Sequence, residues 1–352
     1  MLLISVVMPV HNAAIYLPRA FEQLRALVEV TSHDVEIIAI DDHSTDDSGE
    51  LLRGWADSLP NVRIISAVGS GVAEARNQAV AECRGDYVWF VDADDTWSPQ
   101  IVQRLVDVAH TRQADLVVCN ATKSFPDGST QVIRDAQATE LIDCREMFIR
   151  VLNGSIQGHL WNKLFARAVL GESPFPTTRA HSDLGGVLRL TPRFDRVVLV
   201  PEALYTYEIR SGSILNSPTY RAEDLEECLA IAQETSRLLF LNSPREITTF
   251  KYRNVVIPTM NQQLRRSEKR RGRGDRMYIS RASMMEVAGL VRSGQMGLAI
   301  KVGLLLASPQ MYGLIFRAYS RRRPSNVAIL TGADLLSDPQ EGRDEESPNR
   351  LG

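Results

Sequence analysis

Short apolar segments rich in β-branched residues alternate with segments of helical periodicity through the first third of the chain. This alternation constrains the fold more than any other feature of the sequence. The apolar segments are continuous rather than alternating, which is typical of strands covered on both faces. Strands are predicted at 4–10, 35–40, 62–66, 86–91 and 115–119, and helices at 15–30, 46–58, 71–83 and 98–112. The pattern predicts an α/β fold with a doubly wound, mainly parallel sheet.

Acidic residues follow two of these predicted strands, at the sheet edge where ligands bind in folds of this kind. Asp92-Ala93-Asp94-Asp95 follows the fourth strand. Carboxylates crowded this closely repel one another, and a divalent ion such as Mg²⁺ or Mn²⁺ that also bridges to phosphates would relieve the repulsion. The alternative is a polar turn in which one Asp caps the next helix.

The second acidic pair, Asp41-Asp42, follows the second strand. A carboxylate at this place can accept a hydrogen bond from a nucleobase imide or a ribose hydroxyl. The alternative is simple capping of the helix at 46–58, for which Thr45 is the expected N-cap.

A glycine-containing segment, 69–77, opens the third predicted helix. Gly71 would permit close backbone approach, and Arg76 is a candidate to pair with a diphosphate or to brace an Asp. The alternative is an ordinary helix start followed by a solvated Arg.

Bulk composition narrows the class of protein. The net charge of −3 indicates no nucleic-acid partner. The four cysteines include no C-x-x-C pair, which argues against a zinc site and fits a reducing compartment. The apolar run 296–307 is interrupted by Lys301 and is shorter than the roughly 20 residues that a membrane-spanning helix needs. We therefore expect a cytoplasmic protein.

Several sequence blocks together resemble family 2 glycosyltransferases, the inverting enzymes of the Rossmann-like GT-A fold. The early blocks are PVHNAAIYL (9–17), IAIDDHSTDDS (38–48), GVAEARNQAV (71–80), GDYVWFVDADD (85–95) and ADLVVCN (114–120). Later blocks are HLWNKLFARAVL (159–170), HSDL (181–184) and YTYEIRSGSI (205–214). The resemblance covers roughly residues 1–220.

The resemblance implies a metal-dependent enzyme that moves a sugar from a nucleoside-diphosphate sugar to an acceptor hydroxyl, most often in bacterial cell-surface polysaccharide or glycolipid assembly. Its cofactor would be Mg²⁺ or Mn²⁺, and its acceptor a glycan or a lipid-linked molecule. The residues implied to bind the nucleotide sugar are Pro9, His11, Asn12, Asp41, Asp42, Gly71, Arg76, Asn77, Asp92 and Ala93. The implied metal ligands are Asp92 and Asp94, the implied general base is Asp183, and the acceptor-side residues are Trp161, Arg210 and Ser213.

Two positions depart from the family pattern. His11 stands where a Tyr or Phe is usual, and Ser182 stands where a Glu usually precedes the base. Ser182 keeps open the alternative of a catalytically silent relative that binds a nucleotide or a carbohydrate. Asp183 has the further alternative of a helix cap, and Trp161 that of a core residue.

The predicted organisation is a catalytic domain at 1–220, a helical region at 221–325 and a disordered acidic tail at 326–352. Within the catalytic domain, 1–120 would form the nucleotide-sugar half and 121–220 the acceptor half. Two interpretations of 265–323 stay open. Its basic run and apolar segment would bind an anionic membrane at the inner face of the cell, or form a helical hairpin packed on the catalytic domain.

Overall fold

The computed structural model describes residues 1–178, 180–210, 222–267, 284–292 and 294–322. The described residues up to Ile247 form one compact unit, and those from Thr248 form a second. The predicted acidic tail and most of the basic run lie outside the described residues, as does Ser213.

The first unit is built on one ten-stranded sheet with the strand order β3-β2-β1-β4-β9-β6-β10-β5. Two further strands lie off this path, because β7 pairs with β6 and β8 pairs with β10. The strands are β1 (Leu3–Val10), β2 (Asp34–Asp41), β3 (Val62–Ser66), β4 (Tyr87–Phe90), β5 (Thr96–Trp97), β6 (Leu116–Ser124), β7 (Thr130–Ile133), β8 (Glu140–Ile142), β9 (Lys163–Ala166) and β10 (Val197–Glu208).

Helices flank this sheet and continue to the end of the described chain. The first eight are α1 (Leu17–Val30), α2 (Ser48–Ser58), α3 (Val72–Glu82), α4 (Ile101–Arg112), α5 (Cys144–Asn153), α6 (Arg167–Leu170), α7 (Ser182–Leu190) and α8 (Ala222–Leu238). The next are α9 (Pro244–Phe250), a π-helical segment Lys251–Val256 and α10 (Ile257–Ser267). The last three are α11 (Met284–Arg292), α12 (Met296–Ala307) and α13 (Pro309–Arg322).

The predicted α/β architecture with a helical C-terminal region is confirmed, but the sheet is mixed rather than mainly parallel. Strands β3, β2, β1 and β4 are parallel to one another, as are β6 and β10. Between these two parallel groups lies β9, antiparallel to both β4 and β6. No strand was predicted here, within the acceptor half. An apolar run of four residues is too short for its periodicity to distinguish a strand from a helix.

The predicted helices form because their apolar residues recur on one face. In α1 the buried residues are Leu17, Ala20, Leu24 and Leu27, at the i, i+3, i+7 and i+10 spacing of a helix packed on a sheet. Helix α5 begins where Asp143 accepts a hydrogen bond from the Glu146 N–H at 2.8 Å, and it ends at Gly154 with φ of 81°. The apolar spacing of α1 and the capping residues of α5, all close in sequence, therefore account for these two helices.

The first unit extends beyond the predicted boundary at residue 220. Helix α8 packs against α7 inside this unit, whereas the sequence analysis placed residues 221–325 in a separate region. The division between a nucleotide-sugar half and an acceptor half stays a prediction.

Helix α7 is held close to the loop at 171–178 by two glycines. A Cβ on Gly185 would lie 2.6 Å from Cγ of Pro176, and one on Gly186 would collide with the ring of Phe175. The side chain of Asn77 fixes the same loop, because its Nδ2 donates to the Phe175 carbonyl at 2.8 Å and its Oδ1 accepts from the Phe175 N–H at 2.9 Å. Helix α3 and the start of α7 are thereby joined through one loop.

The second unit has its own apolar core, formed by side chains of the π-helical segment, α10, α11, α12 and α13. Polar contacts bind the same helices together. Tyr252 donates to Glu286 at 2.6 Å, Lys251 pairs with Glu286 at 2.8 Å, and the Tyr312 hydroxyl donates to Asn261 at 2.7 Å. Among the helices that the structure describes, none is both long and apolar enough to cross a bilayer.

Two Gly→Ala substitutions should change stability in opposite directions. Gly186→Ala should destabilise the chain by about 1–3 kcal/mol, because its Cβ meets the Phe175 ring in a packed interior. Gly54→Ala in α2 has nothing within 4 Å of its Cβ and should stabilise by about 0.5–1 kcal/mol through helix propensity. Urea unfolding measures both, and equal effects would contradict the close packing of α7 on the loop.

Candidate active site

The loops that follow β1 and β2 are joined by side-chain to backbone hydrogen bonds. Asn12, with φ of 50°, accepts at Oδ1 from the Thr45 N–H at 2.7 Å. Asp46 accepts from the Ala14 N–H at 3.0 Å, and the Ser48 hydroxyl accepts from the Ala13 N–H at 2.9 Å. Thr45 therefore binds Asn12 instead of capping a helix, and the predicted N-cap is wrong because α2 begins later, at Ser48.

The predicted nucleoside residues form one continuous edge beside these loops. The Asp42 carbonyl oxygen can only accept, so His11 donates to it from Nδ1 at 2.6 Å. The buried Asp42 carboxylate accepts from the Gly71 N–H, at 3.1 Å and 3.0 Å to its two oxygens. Pro9 lies in β1 opposite Ile40 of β2, and Asp41 accepts from the Ser44 N–H at 3.0 Å. Backbone and side chains of three loops therefore meet at the predicted edge.

The acidic turn after β4 separates one buried carboxylate from two that remain partly exposed. Asp95 is fully buried and accepts from the Tyr205 hydroxyl at 2.8 Å and from the Glu208 N–H at 2.9 Å. The same hydroxyl accepts from the Asp92 N–H at 3.3 Å. Burial, with added repulsion from Asp92 and Asp94, raises the pKa of Asp95 well above its ordinary value. Asp95 thus anchors the turn to β10, while the carboxylates of Asp92 and Asp94 remain partly exposed.

The Asp94 carboxylate faces Arg210, which the sequence analysis placed on the acceptor side. Arg210 Nη1 lies 2.7 Å from Asp94 Oδ2, and the guanidinium stacks 4.0 Å above the ring of Tyr16. Desolvation and then repulsion from Asp92 raise the pKa of Asp94, although Arg210 opposes this. The buried Ala93 separates the two aspartates.

The acidic turn has the chemistry of a cation site. Asp92 and Asp94 are oxygen ligands of the kind that Mg²⁺ and Mn²⁺ prefer, and their mutual repulsion is what a cation would relieve. No ready-made cluster of three His, Cys, Asp or Glu side chains occurs in the described ranges. The two aspartates therefore fit a metal that is also held by phosphate oxygens.

Arg76 lies at the centre of the arrangement. It is buried in α3 and donates from Nη2 to Asp92 Oδ1 at 3.0 Å. Its Nε has no hydrogen-bond partner among the described residues. The same guanidinium also lowers the pKa of Asp183, which places it within electrostatic range of the candidate base. Its neighbour Asn77 uses both ends of its amide on Phe175, so it shapes the site through the loop.

Asp183 lies in the first turn of α7 and faces His159. Its Oδ2 is 3.6 Å from His159 Nδ1, and its Oδ1 accepts from the Leu184 N–H at 2.9 Å. Burial, the largest single influence, would raise the pKa of Asp183, but His159 and then Arg76 hold it well below the ordinary range. The carboxylate is therefore ionised at neutral pH, with His159 beside it.

Close backbone packing brings His159 to the start of α7. A Cβ on Gly158 would lie 2.8 Å from the Cα of Leu184, so only glycine fits here without a shift. No sequence pattern gave His159 a role in the site. Its partner is distant in sequence, and no local pattern reveals the contact.

Trp161 is a core residue in this structure. It is 5% exposed, and its ring stacks with those of His159 and Tyr205, each at a centroid distance of 4.6 Å. A sugar therefore does not reach the face that the acceptor prediction required. The structure supports the alternative that Trp161 is a core residue. Its ring packs against the ring of His159 and holds it in place.

The chain was compared with family models, with known sequences and with solved structures. Residues 5–169 match the family model described as Glycosyl transferase family 2. The chain carries a family 2 glycosyltransferase domain.

Two Bacillus subtilis (strain 168) proteins resemble this chain in sequence. The uncharacterized glycosyltransferase EpsJ is 29% identical over 230 residues, which cover 63% of this chain and 65% of EpsJ. The putative glycosyltransferase EpsH is 26% identical over 281 residues, covering 74% of this chain and 77% of EpsH.

A solved structure resembles this chain over nearly its whole length. S. aureus TarS 1–349, crystallised in complex with UDP-GlcNAc, has a TM-score of 0.60 and 16% identity, covering 92% of each chain. This likeness confirms the predicted GT-A fold.

Two Asp→Asn substitutions in this chain should change stability in opposite directions in metal-free buffer. The pKa of Asp183 is lowered, so its charge stabilises the folded state at neutral pH, and Asp183→Asn should destabilise. The pKa of Asp94 is raised, so its charge costs stability there, and Asp94→Asn should stabilise.

Both effects should shrink on acidification. The stability that Asp183 contributes is lost as pH falls below the ordinary aspartate pKa of about 3.9, and the cost of Asp94 disappears as that group takes up a proton. Urea unfolding at pH 7 and at about pH 3, below the ordinary aspartate pKa, with the exposed Asp57→Asn as control, measures these differences. Shifts of the same sign would contradict the assigned electrostatics.

Proposed function

We propose that the chain is an inverting glycosyltransferase that moves one sugar from a nucleoside-diphosphate sugar to an acceptor hydroxyl. The nucleoside would lie along the edge formed by His11, Asp42 and Gly71. The diphosphate would lie beside Arg76 and the acidic turn. Asp183 would remove the proton from the acceptor hydroxyl as its oxygen attacks the anomeric carbon opposite the leaving group.

One observation carries this proposal: the buried guanidinium of Arg76 interacts both with Asp92, on the side proposed for the leaving group, and with Asp183, the proposed base. Arg76 binds Asp92 directly at 3.0 Å and acts electrostatically on Asp183. An inverting displacement needs positive charge where the diphosphate departs and an ionised carboxylate on the opposite face. Arg76 and Asp183 are suited to these two requirements.

The chain's own residues have distinct tasks in this mechanism. Asp183 accepts the acceptor's proton at a carboxylate oxygen, and His159 holds that carboxylate through the 3.6 Å contact. Asp92 and Asp94 would hold Mg²⁺ or Mn²⁺, and Arg210 would leave Asp94 for a donor phosphate. A metal held there would neutralise the charge that develops on the departing diphosphate.

A solved structure of the same fold suggests which donor to test first. UDP-GlcNAc, the ligand of the TarS complex, is the first donor to test. The acceptor would be a glycan or a lipid-linked molecule, in bacterial cell-surface polysaccharide or glycolipid assembly. Thermal shifts across UDP-, GDP- and dTDP-sugars, with and without Mn²⁺, identify the donor, because a ligand that binds only the folded state raises Tm.

The base assignment is tested with Asp183→Asn. Its shape is nearly unchanged and its basicity is removed, so transfer should fall at least about a hundredfold, within the range for general-base catalysis. Donor binding should survive. Initial transfer rate at saturating donor is the measurement, with Asp57→Asn as the matched control.

Two results would count against this mechanism. A rate like that of the parent in Asp183→Asn would remove the base role from Asp183 and leave it an acidic residue in the first turn of α7, whose N-cap position is His181. Donor binding without turnover by the parent across the panel would instead favour the silent relative that Ser182 suggests.

The metal assignment is tested with Asp94→Asn. Loss of one ligand oxygen charge should abolish the Mn²⁺-dependent part of nucleoside-diphosphate binding while leaving the fold intact. Titration calorimetry with UDP, with and without Mn²⁺, measures this. Metal-dependent binding equal to that of the parent would remove Asp94 from the ligand set.

A further inference from the structure

The last two described helices expose an apolar stripe where a surface helix is normally polar. Between Met311 and Ala318 of α13, every exposed side chain is apolar, and these side chains recur at the i, i+3, i+4 and i+7 positions of one helix face. The stripe residues are Met311 (51% exposed), Leu314 (63%), Ile315 (53%) and Ala318. The other face of α13 supplies the buried rings of Tyr312 and Phe316. Helix α13 is thus apolar on both faces.

Helix α12 has the same property. Its exposed side chains are Met296, Ile300 and Ala307, and its one charged residue, Lys301, is buried. Contiguous exposed apolar surface of this kind marks a site of interaction with another protein or a membrane. Neither helix is long and apolar enough to cross a bilayer.

The charge around the stripe indicates which occupant it fits. Glu286 is the sole acidic residue in the sequence 284–322, and Lys251 pairs with it at 2.8 Å. Apart from the buried Lys301, the basic residues of the same stretch are Arg292, Arg317, Arg321 and Arg322. A second copy of the chain would bring the same positive charges together, whereas an anionic lipid surface would attract them.

We propose that the outward faces of α12 and α13 bind an anionic membrane surface, with the apolar stripe inserted at the headgroup boundary. Helices with one apolar face and flanking basic residues lie in the interface plane in this way. This inference does not rest on the proposed sugar transfer, and it would hold for a silent relative as well.

The test uses the full chain and vesicles of phosphatidylcholine, with or without phosphatidylglycerol. The chain should float with phosphatidylglycerol vesicles, bind phosphatidylcholine vesicles weakly, and dissociate as salt is raised. The double variant Leu314→Gln/Ile315→Gln should bind about tenfold more weakly. The matched control is Leu238→Gln in α8, at a leucine of similar exposure (58%), which should bind like the parent.

A second measurement separates loss of the surface from loss of fold. All four native tryptophans lie in the first unit, at 55, 89, 97 and 161. Leu314→Trp should therefore report a blue shift of its own when phosphatidylglycerol vesicles are added.

The proposal is overturned if the parent does not bind phosphatidylglycerol vesicles or binds both vesicle types equally. It is also overturned if the double variant binds like the parent, or if the tryptophan at 314 shows no shift. A parent dimer that the double variant dissociates would assign the stripe to a second copy instead.

Discussion

The ion pair between Arg76 and Asp92 is the interaction on which the rest of the site depends. Burying a guanidinium is costly unless charge and hydrogen bonds compensate for it, and here Asp92 supplies a 3.0 Å contact while Asp183 contributes from further away. Arg76 sits on α3, whose neighbour Asn77 fixes the loop that packs on α7. Helix α3 therefore positions the guanidinium that binds the acidic turn. Through Asn77 it also positions the loop that packs on α7, the helix that carries the candidate base.

The nucleoside edge is preorganised by the chain itself. Asn12 holds the backbone at Thr45, Ser48 holds Ala13, and Asp42 holds Gly71, so three loops from different strands are fixed before any ligand arrives. Ordering such loops in advance lowers the entropy lost on binding. The His11 imidazole, at a position where an aromatic ring is usual, is tied to the backbone of the adjacent loop.

Sequence patterns predicted the strands β1 to β4 and β6, the helices α1 to α4 and the acidic residues at the strand ends, because these features are encoded locally. They did not predict β9, whose four residues are too few to show a period. They also missed His159 beside Asp183 and placed Arg210 with the acceptor rather than with Asp94. Such pairings join residues far apart in sequence, and only the folded sheet brings them together. Trp161 was ambiguous because burial cannot be read from one aromatic residue.

The low pKa of Asp183 in the free protein raises a problem that its surroundings resolve. A strongly lowered pKa keeps the carboxylate ionised but makes it a weak base, and general-base catalysis is most effective when the pKa lies nearer the working pH. His159 is the largest cause of the lowering, and Arg76 is the next. A diphosphate beside Arg76 would offset its positive charge and raise the basicity of Asp183. Donor binding would thus activate the base, coupling proton removal to the presence of a sugar to transfer.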